Sequence, residues 1–223
     1  MEESRIKLKN ERNFIMKEEK KATRQSYGET LEKLGEKYED IVVLDADLAT
    51  ATKTINFEKK FPERFFDMGI AEANMMRTAA GIATTGKVPF ASTFAVFAAG
   101  RSYDQIRNSI CYPKLNVKIC STHAGITVGE DGATHQMLED ISMMRTLPNM
   151  KVLSPADDIE TKWAIEEAYK QKGPVYVRLS RLATPIIYDE NQEFEFGKMI
   201  QFGSGTDATI FASRRRASRV IKS

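Results

Sequence analysis

The sequence contains little of what metal sites, disulfide frameworks and membrane proteins require. Among 223 residues there are two histidines and two cysteines, and Cys111 and Cys120 do not have the spacing of a metal-ligand pair. No apolar run reaches the about 18 residues of a membrane-spanning helix, and none has the pattern of a secretory leader. We therefore expect a cytoplasmic protein without membrane contact, whose cysteines are small packed residues in a reducing environment.

Nucleotide and nucleic-acid binding also lack their usual signals. The sequence has no Gly-x-x-x-x-Gly-Lys-Ser/Thr phosphate loop. Lysine and arginine number 33 against 31 for aspartate and glutamate, and five of these basic residues lie within positions 214–222. This balance does not favour a nucleic-acid partner, and we interpret the basic tail as a truncated or frame-shifted end.

Helical and strand-like segments alternate from residue 22 to residue 188. This order is typical of βαβ construction and predicts an α/β fold: a doubly wound, mostly parallel sheet with helices on both faces. The predicted strands are Ile41–Leu44, Arg64–Met68, Val88–Ser92, Asn116–Ser121, Lys151–Leu153 and Val175–Leu179. The predicted helices are Thr23–Tyr38, Glu72–Thr85, Phe94–Ile110, Gln136–Arg145 and Asp157–Gln171.

Composition divides the chain into three parts. Residues 1–21 are a charged N-terminal extension, and residues 22–188 are the predicted domain. Residues 189–223 begin as a polar, glycine-containing linker. They continue into Ala208–Ala212, which we predict to be the opening strand of a further, truncated domain before the basic tail.

Glu72 falls in the first turn of a predicted helix, shortly after a strand that ends near Gly69. One interpretation is a first-turn glutamate that the helix dipole stabilises. The other is a carboxylate in an apolar strand-to-helix crevice, where it shares a proton with a ligand.

Phe94 and Phe97 lie three residues apart at the start of the next predicted helix. Aromatic residues at this spacing usually pack in the core. Their neighbours are small, however, and this predicts space over the rings in which a flat heteroaromatic ligand could stack.

Both histidines lie in the turn-rich segment 122–135, directly after a predicted strand. Ligands bind at the carboxyl ends of strands in open α/β sheets, and the neutral imidazoles of His123 and His135 can donate to a sugar oxygen. No third ligand at a defined interval indicates a metal. The alternative is a glycine-rich turn with two solvated histidines.

Two arginines lie at the end of the last predicted strand, Arg178 within it and Arg181 two residues after it. Arg181, at its carboxyl edge, is the better anion-binding candidate because a guanidinium matches phosphate oxygens in a bidentate fork. Arg178 is predicted to form a structural ion pair. Arg24, near the start of the first helix, is a further basic candidate that spacing alone does not decide.

Five motifs occur in order between residues 22 and 188. They are Asp45-Ala46-Asp47-Leu48, Gly69-Ile70-Ala71-Glu72-Ala73-Asn74-Met75, Ser92-Thr93-Phe94-Ala95-Val96-Phe97, Gly129-Glu130-Asp131-Gly132-Ala133-Thr134-His135-Gln136 and Arg178-Leu179-Ser180-Arg181. Together they resemble the pyrimidine-binding (Pyr) domain of thiamine-diphosphate enzymes, and most closely that of the transketolase family.

The resemblance implies roles at the cofactor. Glu72 looks like the catalytic glutamate that hydrogen-bonds N1′ of the aminopyrimidine and promotes the imino tautomer, which deprotonates the thiazolium carbon. Phe94 and Phe97 look like the aromatic platform for that pyrimidine, and Asp47 like a further cofactor contact.

The resemblance also implies roles at the substrate. His123 resembles a catalytic histidine that faces the hydroxyl groups of the donor substrate. Asp131 resembles a residue that recognises a substrate hydroxyl by hydrogen bonding. His135 and Arg181 resemble contacts to the sugar phosphate, with Arg24 as another phosphate partner.

The sequence departs from the family pattern at several points. Ala98-Ala99-Gly100 stands where some relatives carry another aromatic residue, and Ala51 stands near an expected serine, which leaves Thr50 or Thr52 as substitutes. The family holds diphosphate and magnesium on a separate domain with a Gly-Asp-Gly motif, which this sequence lacks. We therefore expect no metal ligands here and only half of a cofactor site.

The resemblance thus implies the C-terminal half of a split transketolase, inactive alone, which works with an N-terminal partner half and associates as a homodimer. It implies thiamine diphosphate, magnesium on the partner, and sugar-phosphate substrates. The alternatives are 1-deoxyxylulose-5-phosphate synthase, the β subunit of a 2-oxoacid dehydrogenase, and a non-catalytic docking module. His123 in Thr-His-Ala-Gly favours sugar-phosphate transfer.

Overall fold

The computed structural model describes residues 19–202, 206–213 and 217, and a six-stranded sheet lies at its centre. The sheet strands are β2 (Ile41–Asp45), β3 (Phe65–Asp67), β4 (Val88–Phe94), β5 (Lys118–Thr122), β6 (Lys151–Leu153) and β7 (Val175–Arg178). Their order is β3-β2-β4-β5-β7-β6, and all neighbours are parallel. A separate antiparallel pair joins β1 (Lys20–Ala22) to β8 (Ala183–Pro185).

Helices pack on both faces of this sheet. The α-helices are α1 (Thr23–Lys37), α2 (Ala49–Thr52), α3 (Ile55–Lys60), α4 (Glu72–Ala83), α5 (Tyr103–Gln105), α6 (Asp140–Thr146) and α7 (Asp158–Lys170). The strand side chains alternate between two apolar clusters: Val42 and Leu44 pack with α4, whereas Ile41 and Val43 pack with α1 and α7. The predicted doubly wound α/β fold is confirmed.

The parallel register brings the strand ends to one edge of the sheet. Asp45 ends β2 opposite Ser92, and Phe94 ends β4 opposite Thr122 of β5. From β2 the chain proceeds outward to β3, whereas β4, β5 and β7 lie on the other side of β2. The strand order therefore reverses between β2 and β4, and such a switch point is where open α/β sheets bind ligands.

One predicted helix has a different form. Phe94 does not open a helix as predicted, because its backbone belongs to the β4–β5 ladder. The helical stretch that follows is interrupted: Val96–Arg101 and Ile106–Cys111 are π-helical and flank α5. Wide helical turns of this kind often occur at functional sites.

A second predicted helix starts later than expected. It was predicted from Gln136 but begins at Asp140. Gly125 and Met137 exchange backbone hydrogen bonds of 2.7 and 3.2 Å, and this bridge holds the preceding residues in a closed loop.

Residues after Tyr188 pack partly against the domain. The ring of Phe194 lies 5.3 Å from Trp163 and 5.0 Å from Tyr188. The strand predicted at 208–212 is wrong, since these residues have no regular secondary structure and pair with no strand in the part of the chain that is described. The extension up to residue 18 and most of the basic tail lie outside the described residues, and the three-part division stays a prediction.

Arg178 forms the structural ion pair predicted for it. Its Nε donates to Asp140 Oδ2 at 2.7 Å, and the Tyr176 hydroxyl donates to the same oxygen at 3.0 Å. Arg178 Nη2 also donates to the carbonyl of Met137 at 3.4 Å. Because Asp140 and Arg178 are both buried, the pair ties β7 to α6 and to the closed loop before it.

Replacement of Arg178 by methionine is expected to lower the free energy of unfolding by about 3–5 kcal/mol, because it leaves the buried Asp140 carboxylate unpaired. Urea denaturation followed by Trp163 fluorescence measures the change. Lys198→Met is the matched control, since it breaks an ion pair with Glu195 that is exposed on both sides and contributes little. Equal effects of the two replacements would contradict a buried, stabilising pair.

Candidate functional site

Glu72 is the first residue of α4, and its side chain is buried. Gly69 turns the chain from β3 toward this helix with a φ of +63°, a conformation that glycine adopts without strain. The free N–H groups and the dipole of a helix start favour a negative charge there. The place of Glu72 at the helix start agrees with the first interpretation, and its burial agrees with the second.

The rings of Phe94 and Phe97 are nearly parallel, with an interplanar angle of 12° and centroids 5.8 Å apart. The predicted open space over them is wrong. His123 stacks on Phe94 with centroids 3.7 Å apart, and Arg101 lies over Phe97. The small residues 98–99 point into the core instead, where they are fully buried.

Arg101 connects Glu72 to Phe97 and was absent from the residues predicted for the site. Its Nη1 donates to Glu72 Oε1 at 3.0 Å, while its Cζ lies 4.0 Å from the centroid of the Phe97 ring. The sequence contains one signal for the contact with Phe97: Phe97 and Arg101 are four residues apart, and residues at this spacing lie on one face of a helix. One planar group therefore reaches both the carboxylate and the ring.

Asp47 lies on the loop after β2, exposed and with a φ of +59°. Its backbone N–H donates to Asp67 Oδ1 at 3.1 Å, and the same oxygen accepts the N–H of Gly69 at 2.8 Å. The Asp67 carboxylate thereby fixes the Asp47 loop beside the turn that leads to Glu72.

Asp45, two residues earlier, is buried and structural. It accepts hydrogen bonds from the hydroxyls of Thr52 at 2.7 Å and Thr54 at 2.8 Å, while burial raises its pKa to about 6. Of the two threonines proposed to substitute for a phosphate-binding serine, Thr52 is therefore engaged inside the fold. Thr50 is exposed.

His123 follows β5 directly and is 2% exposed. Its φ of +56° is uncommon for a residue with a side chain. Its Nδ1 lies 2.9 Å from Thr122 Oγ1. Burial, together with the nearby charges of Arg24 and Arg181, lowers the pKa of His123 to about 3. The imidazole is therefore uncharged at neutral pH.

His135 and Asp131 lie on two short 3₁₀ turns of the loop that the Gly125–Met137 bridge closes. The His135 ring meets Phe97 edge-on with centroids 5.3 Å apart. The structure thus brings both histidines against the two phenylalanines, as a single site requires. Asp131, on the first of these turns, is exposed.

Arg24 and Arg181 are close enough to His123 for their charges to act on its pKa in addition to burial. Burial lowers the pKa of Arg24, and the charge of Arg181 lowers it as well, so the two guanidiniums are also near each other. Arg24 Nη1 donates to the carbonyl of Ala51 at 2.8 Å, and its Nε is buried without a partner among the described residues. Arg181 packs over Gly129, where a Cβ would overlap its Nη1. Two guanidiniums beside a neutral imidazole suit a phosphate.

The donor set fits the pyrimidine side of thiamine diphosphate. A buried carboxylate and an aromatic face already hold a planar, nitrogen-rich group, the Arg101 guanidinium. Among the described residues there is no group of three histidine, cysteine, aspartate or glutamate side chains that could hold a metal ion. The same residues include no helix long and apolar enough to cross a membrane.

Comparison with known proteins identifies the family of this chain. Residues 19–186 match the family model of the transketolase pyrimidine-binding domain. A Methanocaldococcus jannaschii protein, assigned by inference as a transketolase C-terminal section, is 55% identical over 204 residues, which are 91% of this chain and 65% of that protein. Human transketolase is 41% identical over 181 residues, 81% of this chain and 29% of its own length.

Solved structures are similar as well. One described as a split-gene transketolase, an inactive β4 tetramer, has a TM-score of 0.82 and 52% identity over 90% of this chain and 65% of its own. Campylobacter jejuni transketolase has a TM-score of 0.71 and 32% identity over 82% of this chain and 28% of its own. The chain spans at most 65% of the length of these relatives. By its sequence, its parallel sheet and its matched domain, the chain belongs to the transketolase family.

Proposed function

We propose that this chain is the C-terminal half of a split transketolase. Together with an N-terminal half it transfers a two-carbon ketol unit from a ketose phosphate to an aldose phosphate. The observation that carries the proposal is the Arg101 guanidinium, which contacts the Glu72 carboxylate and the Phe97 ring at once. A pyrimidine needs the same two surfaces.

At the cofactor end, bound thiamine diphosphate supplies the carbon nucleophile that carries the two-carbon unit. Glu72 holds a proton at the pyrimidine nitrogen, and its burial keeps water from competing. Phe97 is proposed to stack on the flat ring in the place of Arg101, which is worth about 1 kcal/mol beyond burial, and Phe94, which His123 covers, completes the aromatic platform as the neighbour of Phe97. Asp47 is proposed as a further contact from the neighbouring loop.

At the substrate end, the neutral His123 exchanges hydrogen bonds with donor hydroxyls, since burial and the nearby arginines lower its pKa to about 3. Arg24 and Arg181 neutralise the sugar phosphate, and the unpartnered Arg24 Nε is available to it. His135 adds a phosphate contact, and the exposed Asp131 hydrogen-bonds a substrate hydroxyl.

The diphosphate and magnesium are proposed to bind to the N-terminal half. Support comes from the relatives described as a C-terminal section and as a split-gene product, and from the absence of a Gly-Asp-Gly motif in this sequence. The relative described as an inactive β4 tetramer supports a chain that self-associates, as a homodimer at least, and is inactive alone. We place the complex in the cytoplasm, within sugar-phosphate metabolism.

Glu72→Gln is expected to lower ketol transfer by about 10²- to 10⁴-fold, because an amide cannot exchange the proton that Glu72 holds. The chain is assembled with a diphosphate-binding partner half, and turnover of xylulose 5-phosphate with ribose 5-phosphate is measured. Glu63→Gln is the matched control, since Glu63 is an exposed glutamate at the opposite end of β3.

The same assay separates the alternative functions. Unchanged turnover in Glu72→Gln rejects the role given to this residue. Turnover with pyruvate as the donor, and none with xylulose 5-phosphate, favours the synthase or dehydrogenase alternatives. A complex without turnover on either donor favours the docking module.

Arg181→Ala is expected to raise KM for xylulose 5-phosphate about 10- to 100-fold and to leave kcat nearly unchanged, because a charged hydrogen bond to phosphate contributes to binding before and during the reaction. Unphosphorylated xylulose is the matched control substrate, and its KM is expected to stay the same. An equal rise for both sugars means that Arg181 does not bind the phosphate.

His123 is expected to make folding less favourable in acid. Its pKa is about 3 in the folded chain and about 6.5 in an unfolded one, so the unfolded chain binds the proton first as pH falls. The free energy of unfolding therefore decreases between pH 6.5 and 3, by on the order of 1 kcal/mol per pH unit.

Urea denaturation of wild type and His123→Gln tests this expectation. The difference between their free energies of unfolding is expected to be constant above pH 7 and to shift in favour of the variant below pH 6. A difference that is constant throughout contradicts the lowered pKa.

A further inference from the structure

The guanidinium of Arg101 lies where the proposed function places a pyrimidine ring. It donates to Glu72 Oε1 at 3.0 Å and stacks 4.0 Å from the centroid of Phe97. A guanidinium is planar and directs its N–H groups within its plane, so it uses a carboxylate and a ring face as a flat aminopyrimidine does. The two groups therefore compete for the same surfaces.

We propose that Arg101 is a gating residue of the cofactor site: its guanidinium occupies the pyrimidine position and swings out when thiamine diphosphate binds. The inference rests on the proposed function, because it takes Glu72 and Phe97 as the pyrimidine contacts. The Arg101 guanidinium is a competing group within the chain, and Arg101 is not among the residues that the family resemblance implies.

The Arg101 side chain has few contacts that hold it in this position, whereas the Glu72 side chain is buried. Its side chain is 53% exposed against 5% for Glu72, and among the described residues its hydrogen bonding is limited to Glu72. The neighbouring Gly100 is exposed and has no atom within 4 Å of where a Cβ would lie. The guanidinium can therefore move into solvent while residues 98–99 stay anchored in the core.

Competition of this kind weakens cofactor binding. The apparent affinity is the affinity of the open site multiplied by the fraction of chains in which Arg101 has swung out. One partly exposed ion pair and one cation–π contact hold Arg101 in place. Contacts of this strength correspond to an affinity change of about three- to tenfold. Removal of the Arg101 side chain is therefore expected to tighten cofactor binding.

The test is calorimetric titration of thiamine diphosphate with magnesium into the chain assembled with a diphosphate-binding partner half. Arg101→Ala is expected to lower Kd about three- to tenfold relative to wild type. Arg107→Ala is the matched control, since Arg107 is an equally exposed arginine further along the same stretch whose ion pair is with Asp104. It is expected to leave Kd unchanged.

A Kd for Arg101→Ala that equals or exceeds the wild-type value overturns the proposal, because Arg101 then does not compete with the cofactor. Arg101→Gln, which keeps a polar side chain of similar length without the charge, is titrated in parallel and is expected to tighten binding as well. Failure of the proposed function is distinguishable: it shows as ketol transfer that survives Glu72→Gln, whatever the affinity of the Arg101 variants.

Discussion

The parallel register of β4 between β2 and β5 is the constraint on which the site depends. It sets Phe94 opposite Thr122, so that the next residue of the β5 connection, His123, stacks on the Phe94 ring. A slip of one residue would turn every β4 side chain to the other face of the sheet, where its size and shape would not match the side chains packed there. Because the strand is buried on both faces, the register that packs the core is also the register that assembles the site.

The rigid sheet tolerates unfavourable local features at its carboxyl edge. His123 and Asp47 both adopt a positive φ, which costs on the order of 1–3 kcal/mol for each residue with a side chain. His123 is also buried next to two arginine charges. Lys53, Lys114 and Asn149 also adopt a positive φ, at a helix end and in turns, so this backbone conformation alone does not single out the site. What distinguishes His123 is that it combines a positive φ with burial next to two charges.

Local patterns in the sequence predicted much of this fold. The strand Lys151–Leu153 has the predicted bounds, and Asp157 caps α7 by accepting the N–H of Glu160 at 2.9 Å, as its position before the helix indicated. Non-local contacts were not predictable in this way. The ladder to β5 makes Phe94 a strand residue despite its helix-like neighbours, and Arg101 reaches Glu72 from the end of a π-helical segment, a form that helical periodicity does not predict.

The Arg101 contact also explains how a chain that contributes half of a site can fold with Glu72 inside it. A buried carboxylate without a partner is unfavourable by on the order of several kcal/mol, and pairing it to a guanidinium offsets much of that desolvation. Arg101 supplies that partner from the chain itself, and because its own side chain is half exposed, its departure leaves no second charge buried. Under the proposed gating, the Arg101 contact that partners Glu72 in the folded chain is also the contact that cofactor binding breaks.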